Sequence, residues 1–234
     1  MNKIPVFCFS HAGGMSFAYR DFVKLNQIGK CEYIPIDTSG HGKRMGDRLY
    51  VIFNDIVEDL YDKVCQKLDK YPRFVLLGHS MGAWIAYEIA LRLHIEKHVS
   101  PLLLVLSSNV PTYGYNDRVT IDAGDEVLQQ QLTERNPDLG QYFTDEILRN
   151  TFYPIIKADY LAIDNYLNTA GSGIKLECNI LGLLADGDRF DGTIMKKWSE
   201  VTSGVYCQKI LQGNHFALYK NYEYVNQLIE DCVS

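Results

Sequence analysis

The chain has 234 residues, of which 47% are hydrophobic and 22% are charged, a composition typical of a globular protein. This composition excludes a disordered chain, a collagen-like repeat and a coiled coil, and the length suits one domain with a large core. Asp and Glu outnumber Lys and Arg by 29 to 23, which gives a net charge of −6. A nucleic-acid binder needs excess positive charge, so we expect no nucleic-acid partner.

The sequence carries no pattern typical of a membrane span or of export. Its apolar runs fall short of the roughly 20 residues that cross a bilayer, and its first residues lack the long apolar region of a signal peptide. The six cysteines are widely spaced, unlike zinc ligands or redox pairs, and free thiols suit a reducing compartment. We expect a cytoplasmic protein with no bound metal and no membrane association, and a monomer is the default.

Short apolar runs alternate with amphipathic runs along most of the chain. The apolar runs predict strands at residues 4–9, 32–36, 74–77, 102–106, 180–184 and 205–211. Apolar residues at helical spacing predict helices at 56–68, 81–93 and 222–232. Strands that are almost wholly apolar and alternate with helices indicate an α/β fold, with a mostly parallel sheet covered by helices on both faces.

One stretch, from about residue 111 to residue 173, breaks this alternation. It contains no convincing strand, and its helical patterns lie at 127–132 and 146–167. About sixty residues without a strand, between two core strands, indicate a helical insertion. We therefore predict a single domain over residues 1–234 with a helical lid inserted at about 111–173, over one end of the sheet.

The sharpest motif is the pentapeptide Gly-His-Ser-Met-Gly at residues 78–82. It directly follows a predicted strand and directly precedes a predicted buried helix, which is the placement of a nucleophile elbow. In such a turn the serine hydroxyl is pushed outward and the glycines remove side chains that would clash. The pattern predicts Ser80 as a nucleophile.

A nucleophilic serine needs a base, and His215 is the candidate. Three histidines follow the elbow, and two of them, His94 and His98, end the helix that begins at Ser80, far from its N-terminus. His215 instead follows the last predicted strand, where the base of this fold is found.

The orienting acid should lie just beyond the preceding strand, where the chain has several aspartates. Asp188 is the preferred candidate, because its offset from the strand end suits a loop that turns back toward His215. Asp186 is the rival.

Attack on a carbonyl creates an oxyanion, which needs two preorganised N–H donors. The Met81 amide, directly after the nucleophile, is one candidate. The glycine loop His11-Ala12-Gly13-Gly14, directly after the first predicted strand, is expected to supply the other from Ala12. Gly13 and Gly14 are expected to border the bound substrate.

Taken together, the motifs resemble those of the type II thioesterases, stand-alone α/β-hydrolases that accompany non-ribosomal peptide and polyketide synthases. The resemblance covers the whole chain. It rests on residues 11–14, 39–44, 78–83, 157–160, Trp198 and 213–216.

The resemblance implies a helical lid and a serine hydrolase that cleaves acyl thioesters from the phosphopantetheine arm of carrier proteins, for editing or product release. It implies a catalytic triad of Ser80, Asp188 and His215 and a transient carrier-protein partner. Because the triad and the two amides supply every charge that the reaction needs, we expect no bound cofactor. Two positions depart from the family: Arg189 replaces the usual proline, and His41 replaces the arginine of Gly-Arg-Gly.

Other functions share these residues. A small-molecule carboxylesterase and a medium-chain fatty-acyl or acyl-CoA thioesterase would use the same triad, and a non-catalytic relative would only bind a ligand. Because carrier domains are acidic and this chain is too, docking needs a local positive patch. Lys43, Arg44 and Arg48 are expected to form it.

Overall fold

The computed structural model describes residues 3–68, 70–115, 117–121, 124–136, 139–167 and 173–233. Within them, six parallel strands form one sheet in the order β2-β1-β3-β4-β5-β6. The strands are β1 (Ile4–Phe9), β2 (Cys31–Pro35), β3 (Val75–His79), β4 (Leu103–Ser107), β5 (Asn179–Gly187) and β6 (Tyr206–Asn214).

The α-helices connect these strands and extend beyond the last one. They are α1 (Arg20–Lys24), α2 (Phe53–Leu68), α3 (Met81–Arg92), α4 (Asp125–Arg135), α5 (Gly140–Thr144), α6 (Glu146–Leu167), α7 (Gly192–Met195), α8 (Ala217–Lys220) and α9 (Tyr222–Val233). No helix within the described residues is both long and apolar enough to cross a membrane.

Two hydrophobic cores lie on opposite faces of the sheet, because successive side chains of a strand point to opposite faces. Phe7 of β1 packs with α2, α3 and the end of α6 on one face. Its neighbour Cys8 packs with α1, α8 and α9 on the other. The predicted α/β fold, a parallel sheet with helices on both faces, is confirmed.

Four strands, β3 to β6, continue beyond the ends predicted from their apolar runs. β3 includes Gly78 and His79, which pair with Leu106 and Ser107 of β4. β5 and β6 both extend to a pair between residues 187 and 214, past an irregularity after Ala185. The backbone ladder does not depend on side-chain polarity, so polar residues at a strand end remain paired where the apolar pattern has already stopped.

Helices α4, α5 and α6 occupy the chain between β4 and β5, and we call residues 108–178 the inserted segment. These helices share a small hydrophobic core of their own, built on Leu132, Phe143 and Ile156. The second half of α6 joins the main core, where the Tyr166 ring stacks on Phe53 at 4.1 Å between centroids. One helix therefore belongs to both the inserted segment and the body of the protein.

Candidate active site

Ser80 occupies a sharp turn between β3 and α3. Its φ of 55° and ψ of −120° lie in a region that non-glycine residues rarely adopt, at a cost of about 1–3 kcal/mol. Two hydrogen bonds hold this backbone in place: the Ser80 N–H donates to the Ser107 carbonyl at 2.8 Å, and the Asn109 side-chain amide donates to the Ser80 carbonyl at 2.7 Å. The turn has the geometry of a nucleophile elbow.

The glycines on either side of Ser80 are required by space. A Cβ atom at Gly78 would lie 1.9 Å from the carbonyl oxygen of Gly82. A Cβ atom at Gly82 would lie 2.1 Å from the carbonyl oxygen of Phe9, at the end of β1. Because backbone atoms cannot move away as a flexible side chain can, only glycine allows the elbow to pack against its neighbours.

His215 and Asp188 meet where β5 and β6 end. His215 Nδ1 lies 3.1 Å and 3.2 Å from the two carboxylate oxygens of Asp188, whose side chain is fully buried. Burial alone would raise the pKa of Asp188. Hydrogen bonds and charge from His215, with further hydrogen bonds from Ser108 and the Arg189 amide, outweigh burial and lower that pKa. Asp188 is therefore a carboxylate that fixes the ring of His215 through Nδ1.

Asp186, the rival acid, makes a different contact. It lies within β5, and its Oδ1 accepts a hydrogen bond from the Gly213 amide at 2.8 Å. Asp188 lies two residues further, past the last residue of the strand, where the loop turns toward His215. Of the two aspartates that the sequence left open, Asp188 is the one in contact with the imidazole.

The loop after β1 contains three successive backbone amides that differ in their hydrogen-bond partners. Gly14 donates to the His11 carbonyl at 2.8 Å, and Gly13 donates to the Asp159 carboxylate at 2.6 Å. The Ala12 amide makes no hydrogen bond within the described part of the chain. The amide of Met81 begins α3, where an N–H group has no partner in a preceding turn. Neither predicted donor, the Ala12 amide nor the Met81 amide, thus has an acceptor within the described residues, and of the two only Ala12 lines the neighbouring cavity.

A cavity of about 500 Å³ joins these groups, a size typical of small-ligand sites. Ser80 and His215 both line it, as do Ala12, Gly13 and Gly14. Helices α4 to α6, with Leu139 directly before α5, cover the cavity with mostly apolar side chains: Leu132, Leu139, Tyr142, Phe152, Ile156 and Tyr160. The described residues contain no group of three or more His, Cys, Asp or Glu side chains placed to hold a metal ion.

The sequence did not predict a buried ion pair that links α6 to this site. His41 Nε2 lies 2.9 Å from Oδ2 of Asp159, and both side chains are at most 2% exposed. Burial lowers the pKa of His41, but the charge and hydrogen bond of Asp159 outweigh it, so the pKa is raised. His41 Nδ1 also lies 3.0 Å from the Ser39 carbonyl, so both ring nitrogens face acceptors, as in a protonated imidazole. The same Asp159 oxygen receives the Gly13 amide, so α6 holds the glycine loop.

A second ionic cluster was also missed. Arg135 of α4 and Arg189, which follows Asp188, both lie 2.6 Å from the carboxylate of Asp117. The two arginines line the cavity, whereas Asp117 lines a separate small void beside Tyr160. The replacement of proline by Arg189 was the only signal in the sequence, and the pairing depends on Asp117 in the inserted segment.

Two further imidazoles pack around His215. The His79 ring centroid lies 5.1 Å from that of His215 and 5.9 Å from that of His11. Burial, with the charge of His215 as a smaller cause, lowers the pKa of His11 to about 3 and also lowers that of His79. Both rings are therefore neutral near pH 7, so His79, which packs against His215, adds no charge beside it.

The chain matches known proteins along almost its whole length. Residues 4–233 match the thioesterase domain family. This chain belongs to the thioesterase family. The match confirms, at the level of the family, the resemblance predicted from the sequence motifs, and the six-stranded α/β fold agrees with it.

Curated thioesterases match along almost the whole chain. A probable cadicidin biosynthesis thioesterase of Streptomyces griseus is 27% identical over 99% of this chain, which spans 63% of that protein. A medium-chain S-acyl fatty acid synthase thioesterase of Rattus norvegicus is 26% identical over 97% of this chain and 86% of its own length. Among solved structures, the type II thioesterase BorB from the borrelidin biosynthetic cluster has a TM-score of 0.84 at 23% identity, covering 99% of this chain and 93% of that one. At that identity the likeness shows the fold.

Proposed function

We propose that this protein is a serine thioesterase of the type II class, which hydrolyses acyl groups carried as thioesters on the phosphopantetheine arm of carrier proteins. The observation that carries the proposal is the Asp188–His215 pair, whose imidazole lines the same cavity as Ser80 on its strained turn. Family membership supplies the thioester chemistry, and the relative named for cadicidin biosynthesis supports a role beside a synthase.

Acylation uses the two nitrogens of His215 for different tasks. Nδ1 is held by Asp188, so Nε2 takes the proton of the Ser80 hydroxyl as its oxygen attacks the thioester carbonyl. The amides of Ala12 and Met81 stabilise the oxyanion, a contribution of about 10²–10³ in rate for each donor. When the tetrahedral intermediate collapses, the carbon–sulfur bond breaks and the thiol leaves with the proton from His215.

Deacylation repeats these steps with water as the nucleophile. His215 Nε2 removes a proton from water, the hydroxide attacks the Ser80 ester, and the same two amides hold the second oxyanion. The carboxylic acid then leaves and Ser80 recovers its proton. Protein groups supply every charge that this sequence of steps requires, so we propose that the enzyme needs no bound cofactor.

The carrier partner, the cytoplasmic location and the single-domain, monomeric state belong to the same proposal. Six free cysteine side chains suit a reducing compartment. The positive patch expected at Lys43, Arg44 and Arg48 has less net positive charge than the sequence predicts. Arg44 is ion-paired with both Asp47 and Asp59. Docking through Lys43 and Arg48 therefore has less local charge to rely on.

One acyl chain presented in three forms tests the substrate class. We expect kcat/KM to be highest for the carrier-bound thioester, lower for the coenzyme A thioester and lowest for the oxygen ester. In each case Ser80→Ala should reduce turnover by about 10⁶. A preference for the oxygen ester would identify a carboxylesterase instead, and equal rates on carrier and coenzyme A would identify an acyl-CoA thioesterase. Retention of full activity by Ser80→Ala would contradict the mechanism.

A further inference from the structure

The charge on the wall of the cavity differs from that of the whole chain. Although the chain carries a net charge of −6, no Asp or Glu side chain lines the cavity within the described residues. The charged side chains that do line it are Arg135 and Arg189. A groove lined mainly by apolar and neutral polar residues, with two guanidinium groups, is suited to a ligand that is apolar for most of its length and negatively charged at one point.

Contacts with Asp117 and Phe190 hold the two arginines in place. Arg135 donates through Nη2 to Oδ1 of Asp117 at 2.6 Å and through Nε to Oδ2 at 3.2 Å, and Arg189 Nε lies 2.6 Å from the same Oδ2. The Arg189 guanidinium also lies 4.8 Å from the centroid of the Phe190 ring. One carboxylate cannot neutralise two guanidinium groups, so the cluster retains one positive charge beside the cavity. Fixed, partly buried arginines of this kind bind carboxylates strongly.

We propose that the acyl group of the natural substrate carries a carboxylate, which Arg135 and Arg189 bind. This inference rests on the proposed function for the identity of the thioester. The position of the cluster favours the acyl group over the phosphate of the pantetheine arm. Arg189 lines the same cavity as Ser80 and His215, where the acyl group binds, whereas the phosphate is separated from the thioester sulfur by the length of the arm.

The test compares two acyl groups of nearly the same shape. Succinyl carries a carboxylate where 4-methylpentanoyl carries an apolar isopropyl group. Both are attached to pantetheine, which has no phosphate, and to coenzyme A, which has three phosphate groups. For the wild type we expect kcat/KM to be higher for the succinyl thioester than for the 4-methylpentanoyl thioester, both with pantetheine and with coenzyme A. For Arg189→Met and Arg135→Met we expect the ratio of succinyl to 4-methylpentanoyl to fall by about 10- to 100-fold, the effect of losing a charge-assisted hydrogen bond.

Hydrolysis of the 4-methylpentanoyl thioester shows that each variant is folded. Arg118→Met is the matched control, because that arginine pairs with Asp164 and does not line the cavity. Its ratio should match that of the wild type. A higher kcat/KM of the wild type for the 4-methylpentanoyl thioester would by itself overturn the proposal. A ratio of succinyl to 4-methylpentanoyl that is unchanged in both arginine variants would also overturn it. If the two arginine variants hydrolyse both coenzyme A thioesters more slowly but both pantetheine thioesters at the wild-type rate, the arginines bind phosphate. That result would overturn the proposal too.

Binding of non-hydrolysable amides separates this proposal from the proposed function. Calorimetry with the succinyl and 4-methylpentanoyl amides of pantetheine measures recognition without turnover. Tighter binding of the succinyl amide, lost in Arg189→Met, supports the carboxylate site even if no thioester is hydrolysed, in which case the proposed function alone fails. Equal binding of both amides by the wild type contradicts the carboxylate site whether or not thioesters are hydrolysed.

Discussion

At the scale of single residues, the site depends on close approaches that side chains would prevent. The elbow packs its backbone against β1, and Gly82 is the residue at this contact. The sequence motif predicted the elbow because a Gly-x-Ser-x-Gly between a strand and a helix has few other uses. It could not show which backbone atom each glycine approaches, since that depends on the neighbouring strand.

Gly82→Ala tests this contact. The added methyl group would lie 2.1 Å from the Phe9 carbonyl oxygen, so the turn must shift, and we expect a loss of about 1–3 kcal/mol in the free energy of unfolding. The shift should also displace Ser80 and reduce kcat.

Gly46→Ala is the control, because a Cβ atom there has nothing within 4 Å, and its effect should stay within about 0.5 kcal/mol. Urea denaturation and steady-state kinetics measure both effects. Equal stability of the two variants would contradict the close approach.

At the scale of the elements, α6 couples the inserted segment to the glycine loop. Ile156 and Asp159 lie one turn apart on this helix. Ile156 contacts the space where a Gly13 side chain would be, and Asp159 receives the Gly13 amide. The bounds of α6 were predicted correctly from its apolar spacing. Its polar contact was not, because a single aspartate in a helix looks the same in sequence whether it is buried or solvated.

Asp159→Ala should therefore be strongly destabilising. It leaves His41 as a buried charge without its partner and the Gly13 amide without an acceptor, which costs about 3–5 kcal/mol in the free energy of unfolding.

Asp164→Ala, on the same helix, is the matched control. Its carboxylate, nearly half exposed and ion-paired with Arg118, should contribute less than about 1 kcal/mol. A chemical denaturation midpoint that is the same for both variants would show that the buried pair does not stabilise the fold.

At the scale of the whole molecule, buried histidines control how stability depends on pH. His11 stays neutral in the folded protein down to a pKa of about 3, whereas an unfolded histidine titrates near 6.5. Between these values the unfolded state binds more protons, so the free energy of unfolding falls as the pH is lowered. The raised pKa of His41 acts in the opposite sense, since its stabilisation is complete below pH 6.5 and is lost as the pH rises through its folded value.

We expect the free energy of unfolding to fall from pH 7 to pH 5, with His11 contributing a slope of about 1.4 kcal/mol per pH unit once one proton separates the two states. His11→Gln should flatten this dependence because glutamine does not titrate. Urea denaturation of both proteins at several pH values measures the slopes. Parallel curves for the variant and the wild type would show that the neutral His11 is not responsible for the pH dependence.

The fold as a whole was predictable because each part of it has a local signal. Alternating apolar strands and helices predicted the sheet, and the polar residues that follow its strands predicted the site. The two ionic clusters at Asp159 and Asp117 had no such signal. Each joins the inserted segment to a distant loop, and sequence spacing carries no information about contacts between segments more than a hundred residues or several elements apart.

The central claim is that Ser80 is the nucleophile, and labelling with a serine-directed phosphonate tests it most directly. Each protein molecule should bind one equivalent of the phosphonate, located on Ser80 by peptide mass spectrometry. The Ser80→Ala variant and the denatured protein should bind none. Stoichiometric labelling of a different residue, with Ser80 unmodified, would contradict the central claim.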